Sequence, residues 1–173
     1  MDAAEMLAKG FTRETTIVRD AAGRWFHDGE ELEHKGLCAS FDAWIDRAPD
    51  GRFCLQNNIN WAFVEIQGPP YSVRAFALRD DGPWLKLSGN VEERFDAGSL
   101  CIDPEGVLWC NVRGGRVPAR FENHAALQLG AHLHEENGEF LLRLGDETYS
   151  PADCADPMNA WLPEHGHVES SNG

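Results

Sequence analysis

Two stretches decide the fold because they repeat each other: residues 20–29 read D-A-A-G-R-W-F-H-D-G, and residues 103–115 read D-P-E-G-V-L-W-C-N-V-R-G-G. In each stretch an Asp stands three residues before a Gly, a Trp follows, and a second glycine turn comes next. A helix-like run then leads to a third glycine turn, 22 residues beyond the second in the first copy and 23 in the second copy. This spacing predicts two copies of one structural unit, each made of a hairpin, a helix and a strand.

Turn and helix signals give the first copy its predicted elements. Asp28-Gly29 favours a type I′ turn, so we expect a hairpin over residues 24–33 in which His27 lies opposite Glu30. Apolar side chains then recur at helical spacing and predict one helix. They are Leu37, Phe41, Trp44 and Ile45.

The second copy has the same signals. Gly114-Gly115 predicts another two-residue hairpin turn, and Asn123 is a suitable N-cap for a helix over residues 125–135. The expected fold is α+β, with mostly antiparallel sheet and one helix in each repeat.

The predicted boundaries divide the chain into four parts. They are an N-terminal helical segment at residues 1–15, the first repeat with a β extension at 16–98, the second repeat at 99–152 and a tail at 153–173. Pro69-Pro70 interrupts the first repeat, and the sequence leaves both of its peptide bonds open between cis and trans.

Composition excludes several classes of protein. The 173 residues include 15 basic and 29 acidic side chains, and the net charge of −14 would repel a nucleic-acid backbone. The chain has no apolar run long enough to cross a membrane, and we expect no signal peptide because the first ten residues lack an apolar stretch. The five cysteines are odd in number and lack C-x-x-C spacing, which argues against a disulfide framework, a zinc ribbon or a thioredoxin motif. We therefore expect a soluble cytoplasmic protein without a cofactor.

The second hairpin is the best local candidate for a binding site. Counting outward from Gly114-Gly115 gives three facing pairs: Arg113 with Arg116, Asn111 with Pro118, and Trp109 with Arg120. Three arginines on one face require negative charge between them. Three alternatives are open. Acidic side chains of the other repeat neutralise the arginines, the arginines face solvent, or the face binds a small anionic ligand or an acidic peptide.

Histidines add one candidate and no metal site. His27, in the first hairpin, joins the candidate ligand residues. The first hairpin is acidic where the second is basic, and the two hairpins either neutralise each other or leave a charged cleft between them. On a helix, His132 and His134 would point apart and could not share one metal ion. His165 and His167 lie in the tail, where we expect at most opportunistic metal binding.

Three motifs together carry a family resemblance: G-R-W-F-H-D-G-E-E-L-E-H-K-G-L at residues 23–37, N-x-x-x-W-x-x-V-E-I-x-G-P-P-Y at 57–71 and V-R-G-G-R-V-P-A-R-F at 112–121. With them the chain resembles DUF1285, a bacterial family of unknown function, over roughly residues 16–150. The resemblance implies an α+β fold built from two structural repeats and a ligand-binding or signalling role. It implies no established activity and no catalytic residues.

Three classes of function stay open at this stage. The first is a non-enzymatic binding or regulatory module with a ligand cleft where the repeats meet. The second is an enzyme whose site forms only in three dimensions, with His27 or His34 as the base, since no nucleophile elbow or phosphate loop occurs in the sequence. The third is an assembly partner of undefined oligomeric state, which would expose a flat apolar patch.

Overall fold

The structure, a computed structural model, describes residues 13–160 and divides them into two compact units, residues 13–70 and Tyr71–Ala160. Residues 1–12 of the predicted N-terminal helical segment and the tail histidines His165 and His167 lie outside the described residues, and residues 13–15 are not helical. The α+β prediction is confirmed, because the described chain has two α-helices and mostly antiparallel strands. No helix in this part of the chain is both long and apolar enough to cross a membrane.

The first unit holds two small sheets. Strands β3-β2-β1-β7 form one sheet of four strands, and β4-β5-β6 form an antiparallel sheet of three. Its elements within residues 13–70 are β1 (Val18–Arg19), β2 (Trp25–His27), β3 (Glu30–Glu31), α1 (Lys35–Trp44), β4 (Ile45–Arg47), β5 (Phe53–Gln56), β6 (Trp61–Phe63) and β7 (Glu65–Ile66).

The second unit holds a sheet of seven strands in the order β10-β9-β8-β13-β12-β11-β17 and a sheet of three in the order β14-β15-β16. Its strands and α-helix are β8 (Tyr71–Arg79), β9 (Gly82–Leu87), β10 (Val91–Arg94), β11 (Cys101–Ile102), β12 (Leu108–Val112), β13 (Val117–Phe121), α2 (Asn123–Gly130), β14 (Leu133–Glu136), β15 (Glu139–Leu144), β16 (Glu147–Tyr149) and β17 (Ala152–Asp153).

The repeated Asp and Gly build the same turn twice. Oδ1 of Asp20 accepts the backbone N–H groups of the residues two and four positions later, at 3.0 and 2.8 Å, and Oδ1 of Asp103 accepts its two counterparts at 2.9 Å each. In both turns the Gly three positions on donates to the carbonyl of the Asp. Gly23 and Gly106 take φ values of 88° and 84°, a backbone conformation that glycine adopts without strain.

Strand pairing also recurs. β1 pairs with β2 antiparallel and with β7 parallel, and β11 pairs with β12 antiparallel and with β17 parallel. In each unit the helix follows the antiparallel strands of that sheet along the chain and precedes an antiparallel sheet of three strands. β8, β9 and β10 precede this order in the second unit. The element order is thus the same twice, while the prediction that the two sets are structural repeats stays a prediction.

Both helices end earlier than the sequence predicts. The first helix ends at Trp44, and Ile45 is instead the first residue of β4, with no exposed surface. The second ends at Gly130 rather than at residue 135, because Leu133 pairs with the fully buried Leu142 of β15.

This shorter second helix removes the basis of one argument about metal binding. His134 lies on strand β14 and His132 lies just before it, packed edge-on against Phe76 at 5.5 Å between ring centroids. The reasoning from helical geometry was therefore wrong. Even so, no group of three or more metal-ligating side chains occurs within residues 13–160.

The seven-stranded sheet curls around an aromatic core. Three strands separate β10 from β12 in the sheet, yet Glu93 of β10 reaches Arg113, which directly follows β12. The ring of Phe95 packs between those of Phe76 and Phe121, with centroid distances of 5.8 and 6.0 Å. Burial of these rings stabilises the curl, since each large aromatic side chain removes substantial apolar area from water.

Candidate functional site

The register predicted for the second hairpin is confirmed, although its turn is longer than predicted. Trp109 pairs with Arg120 and Asn111 with Pro118. The opposite face of the hairpin is apolar and buried, and it consists of Cys110, Val112, Val117 and Ala119. The two-residue loop was wrong, because the last strand pair is Val112 with Val117 and the turn contains all four residues between them.

Arg113 obtains its counter-charge inside the second unit. Its backbone N–H donates to Glu93 Oε1 at 3.0 Å, and its guanidinium donates to the hydroxyl of the fully buried Tyr71 at 2.8 Å. Arg113 Nη1 also lies 3.9 Å from Glu93 Oε2. The half-buried Arg113 therefore pairs with a carboxylate and supports the curl of the sheet.

The other hairpin candidates are dispersed. Trp109 and Asn111 are buried, where the indole N–H of Trp109 donates to Asp103 Oδ2 at 2.9 Å and the amide of Asn111 donates to the Gly115 carbonyl at 2.6 Å. Arg116 and Arg120 are exposed. Arg120 borders an open surface depression of about 500 Å³ at the start of α2. These residues do not form one concave site.

The histidines proposed as possible bases have surface or capping roles. His27 is exposed, pairs across the hairpin with Glu30 as predicted, and lies 3.7 Å from Asp28. His34 is the N-cap of α1, and its Nδ1 accepts the backbone N–H of Leu37 at 3.0 Å. A His34 nitrogen that caps a helix is not free to accept a proton from a substrate.

A better-formed site lies in the first unit, where sequence reasoning did not place one. A cleft of about 220 Å³ opens between α1 and the strands beside it. We call it the aromatic cleft. Its apolar wall is formed by Ile17, Phe41, Trp44, Leu55 and Ala62.

The helix explains why the cleft exists. No residue of α1 is fully buried, and Phe41 and Trp44 are both half-buried. Their centroids are 6.0 Å apart, and Phe41 also packs edge-on against Trp25 at 5.3 Å. Opposite the helix, Leu55 and Ala62 are a directly facing strand pair and therefore share one face of the sheet. The apolar faces of helix and sheet thus leave a gap between them.

Three polar side chains line part of the aromatic cleft, and we call this part its mouth because Arg13 and Asn60 are exposed. They come from Arg13 and from the turn between β5 and β6, which contributes Asn57 and Asn60. Arg13 donates to Asn60 Oδ1, so the guanidinium is tied to this turn. Asn57 and Asn60 lie between β5 and β6, and their position beside an aromatic helix depends on the tertiary fold.

Some groups that lie outside the cleft have pKa values shifted by hydrogen bonding and burial. Burial acts to raise the pKa of Asp103, but hydrogen bonds from the Trp109 indole and from two backbone N–H groups outweigh it, so the pKa is lowered. Burial, followed by the neighbouring thiol of Cys154, raises the pKa of Cys101 to about 12. All five cysteines are free, and a Cys101 thiol with this pKa is protonated and unreactive at neutral pH.

Comparison with solved structures identifies the fold. The chain is similar to a DUF1285 family protein from Silicibacter pomeroyi DSS-3, with a TM-score of 0.60 and 15% identity over 80% of each chain. This chain has the DUF1285 fold. A second DUF1285 family protein, from Shewanella baltica OS155, matches with a TM-score of 0.49 and 14% identity over 63% of this chain and 85% of its own. No family model and no curated protein matches the chain.

The DUF1285 fold agrees with the resemblance that the three sequence motifs carry. At 15% identity the likeness concerns the path of the backbone, so it transfers no site residue. The residues around the aromatic cleft must therefore be judged by their own chemistry.

Proposed function

We propose that this chain is a non-enzymatic binding module whose ligand site is the aromatic cleft. The observation that carries the proposal is the combination of two half-buried aromatic side chains, Phe41 and Trp44, with a hydrogen-bonded group of polar residues in the lining of one cleft. Ligand sites in proteins have this composition, with a mostly apolar lining and a few placed polar groups.

The chemistry of the cleft favours binding over catalysis. Among the described residues that line it, Arg13 is the one ionisable side chain, and an arginine stays protonated at physiological pH. General acid–base or nucleophilic catalysis needs a group that exchanges a proton or attacks the substrate. The five free thiols support a cytoplasmic setting for this binding module, because reducing compartments keep cysteines unpaired.

The size of the cleft limits the ligand. At about 220 Å³ it falls below the range of roughly 300–1,000 Å³ that suits drug-sized molecules, so the ligand should be a small metabolite. A regulatory role would follow if occupancy of the cleft changed the position of α1, whose apolar face is only partly covered.

A thermal-shift screen of small aromatic and branched metabolites tests the proposal, because a ligand that binds only the folded state raises its melting temperature. Ala62→Phe would fill the cleft, and Ala77→Phe, at an exposed position of β8, is the matched control. We expect compounds that stabilise the wild type and Ala77→Phe to have no effect on folded Ala62→Phe. The proposal is wrong if no compound acts, or if Ala62→Phe responds like the wild type.

A further inference from the structure

The polar side chains at the mouth of the aromatic cleft have donors to offer and no free acceptor. Asn57 Oδ1 accepts the backbone N–H groups of Ile59 and Asn60, both at 2.8 Å. Asn60 Oδ1 accepts the N–H of Trp61 at 2.9 Å and an N–H of Arg13. Because backbone N–H groups fix both amide oxygens, the remaining hydrogen-bonding group on each Asn is its NH₂ donor.

The mouth also carries positive charge. One N–H of the Arg13 guanidinium donates to Asn60, and its other N–H groups can donate to a ligand. The adjacent carboxylate of Glu14 pairs with Arg52 at 2.7 Å. No acidic side chain occurs among the described residues that line the cleft, so the local charge is positive although the whole chain is strongly acidic.

The apolar wall has room for one ring. A buried apolar cavity of about 150 Å³ takes up benzene, and the aromatic cleft, at about 220 Å³, is larger. Phe41 and Trp44 offer their rings for edge-to-face or offset stacking, which favours an aromatic ligand over a purely aliphatic one.

We propose that the ligand of the aromatic cleft is a small aromatic carboxylate. Its ring lies against Phe41 and Trp44, and its carboxylate accepts hydrogen bonds from Arg13 and from the amides of Asn57 and Asn60. This inference rests on the proposed function, since it names the chemical class that the same site selects. Arginine suits the role because its fork matches the two oxygens of a carboxylate.

Two probes of nearly equal shape separate charge from ring recognition. Phenylacetate and its neutral amide, phenylacetamide, would be titrated by calorimetry into wild type, Arg13→Gln and Lys35→Gln. Lys35 is an exposed residue of α1 outside the cleft, so its variant loses the same charge elsewhere. Circular dichroism and the melting temperature would establish that each variant is folded.

We expect phenylacetate to bind the wild type more tightly than phenylacetamide. Arg13→Gln should weaken phenylacetate binding roughly 10-fold to 100-fold, the range for a lost hydrogen bond to a charged group, and leave phenylacetamide unchanged. Lys35→Gln should bind both probes like the wild type. Arg13→Lys, which keeps the charge and loses the fork, should lie between wild type and Arg13→Gln.

Two results overturn the inference, and they differ in what they mean for the proposed function. If both probes bind the wild type equally and Arg13→Gln changes neither affinity, the cleft binds rings and does not select carboxylates. If neither probe binds the wild type, the carboxylate inference fails, and the screen with Ala62→Phe then decides whether the cleft binds any ligand.

Discussion

Three buried tryptophans differ in what their indole nitrogen contacts. The N–H of Trp25 donates to Asp42 Oδ1 at 2.8 Å, and that of Trp109 donates to Asp103 Oδ2 at 2.9 Å. Trp61 packs edge-on against Phe63 at 4.9 Å, and its buried N–H has no acceptor within residues 13–160. A buried donor without an acceptor costs free energy, whereas a donor to a carboxylate stabilises the fold.

Replacing each of these tryptophans with Phe separates the hydrogen bond from the ring. Each change shortens the side chain by a similar amount, so Trp61→Phe measures that loss without a hydrogen bond. We expect Trp109→Phe and Trp25→Phe to lower the free energy of unfolding by about 1.5–3 kcal/mol more than Trp61→Phe, as hydrogen bonds to charged groups do. Urea denaturation of the three variants measures this difference. Equal losses would show that the carboxylate contacts contribute nothing.

Asp103 makes the stability of the fold sensitive to acid. Its pKa in the folded protein lies below the ordinary value of 3.8, so its carboxylate stabilises the fold fully above that value and the contribution is lost as pH falls through the lowered pKa. We expect the free energy of unfolding to decline below about pH 4 in the wild type. The decline should be shallower in Asp103→Asn, and Asp146→Asn, at an exposed turn, should behave like the wild type. An unchanged slope in Asp103→Asn would contradict this assignment.

At the scale of elements, local signals predict the hairpins and fail at the helix ends. The Asp28-Gly29 signal was sufficient because the turn requires positive φ values, 54° and 82°, and Asp and Gly adopt such values more readily than most residues. The register of β12 and β13 followed from counting outward from Gly114-Gly115, which places Trp109 opposite Arg120 and Asn111 opposite Pro118. The end of α2 was not predictable from its own residues, since the pairing of Leu133 with Leu142 across a hairpin decides it. The four-residue turn likewise depends on the contacts of Arg113 with Glu93 and Tyr71.

The same substitution should have opposite effects at two glycines in these elements. A Cβ at Gly29 or at Gly130 meets no atom within 4 Å, so only the backbone conformation differs between them. Gly29 has a φ of 82°, and Gly29→Ala should cost about 1–2 kcal/mol. Gly130 ends α2 without a positive φ, and Gly130→Ala should stabilise by about 0.4–1 kcal/mol. Chemical denaturation of both variants tests this, and effects of the same sign would contradict it.

At the scale of the whole molecule, the sequence predicts the fold class and misses the site. Periodicity and turn residues act over short distances, and they were sufficient for the α+β class, whereas the likeness to DUF1285 came from the resemblance of three motifs. The sequence predicts three arginines on one face of the second hairpin, but it does not show that Glu93 reaches Arg113 around a curled sheet. The aromatic cleft escaped prediction because it depends on how far α1 lies from Leu55 and Ala62.

The net charge of −14 should make the stability of the protein depend on salt. Like charges repel more in the compact state than in the unfolded chain, and salt screens that repulsion. We expect the free energy of unfolding at pH 7.5 to rise as NaCl increases from about 0.01 to 0.15 M, where the Debye length falls from about 30 to 8 Å. Near pH 5, close to the calculated isoelectric point of 4.8, the effect should largely vanish. Equal salt effects at the two pH values would contradict an origin in net charge.

The most direct test of the binding proposal is to locate a bound probe by nuclear Overhauser effects between the ring protons of phenylacetate and methyl groups of the folded protein. The methyl groups of Ile17, Leu55 and Ala62 line the aromatic cleft, whereas those of Leu127 lie exposed on α2 in the second unit. We predict contacts to the first three residues and none to Leu127, and in Ala62→Phe we predict loss of the contacts to Ile17 and Leu55. Contacts to Leu127 in place of the cleft residues, or contacts that persist unchanged in folded Ala62→Phe, would contradict the assignment of this cleft as the ligand site.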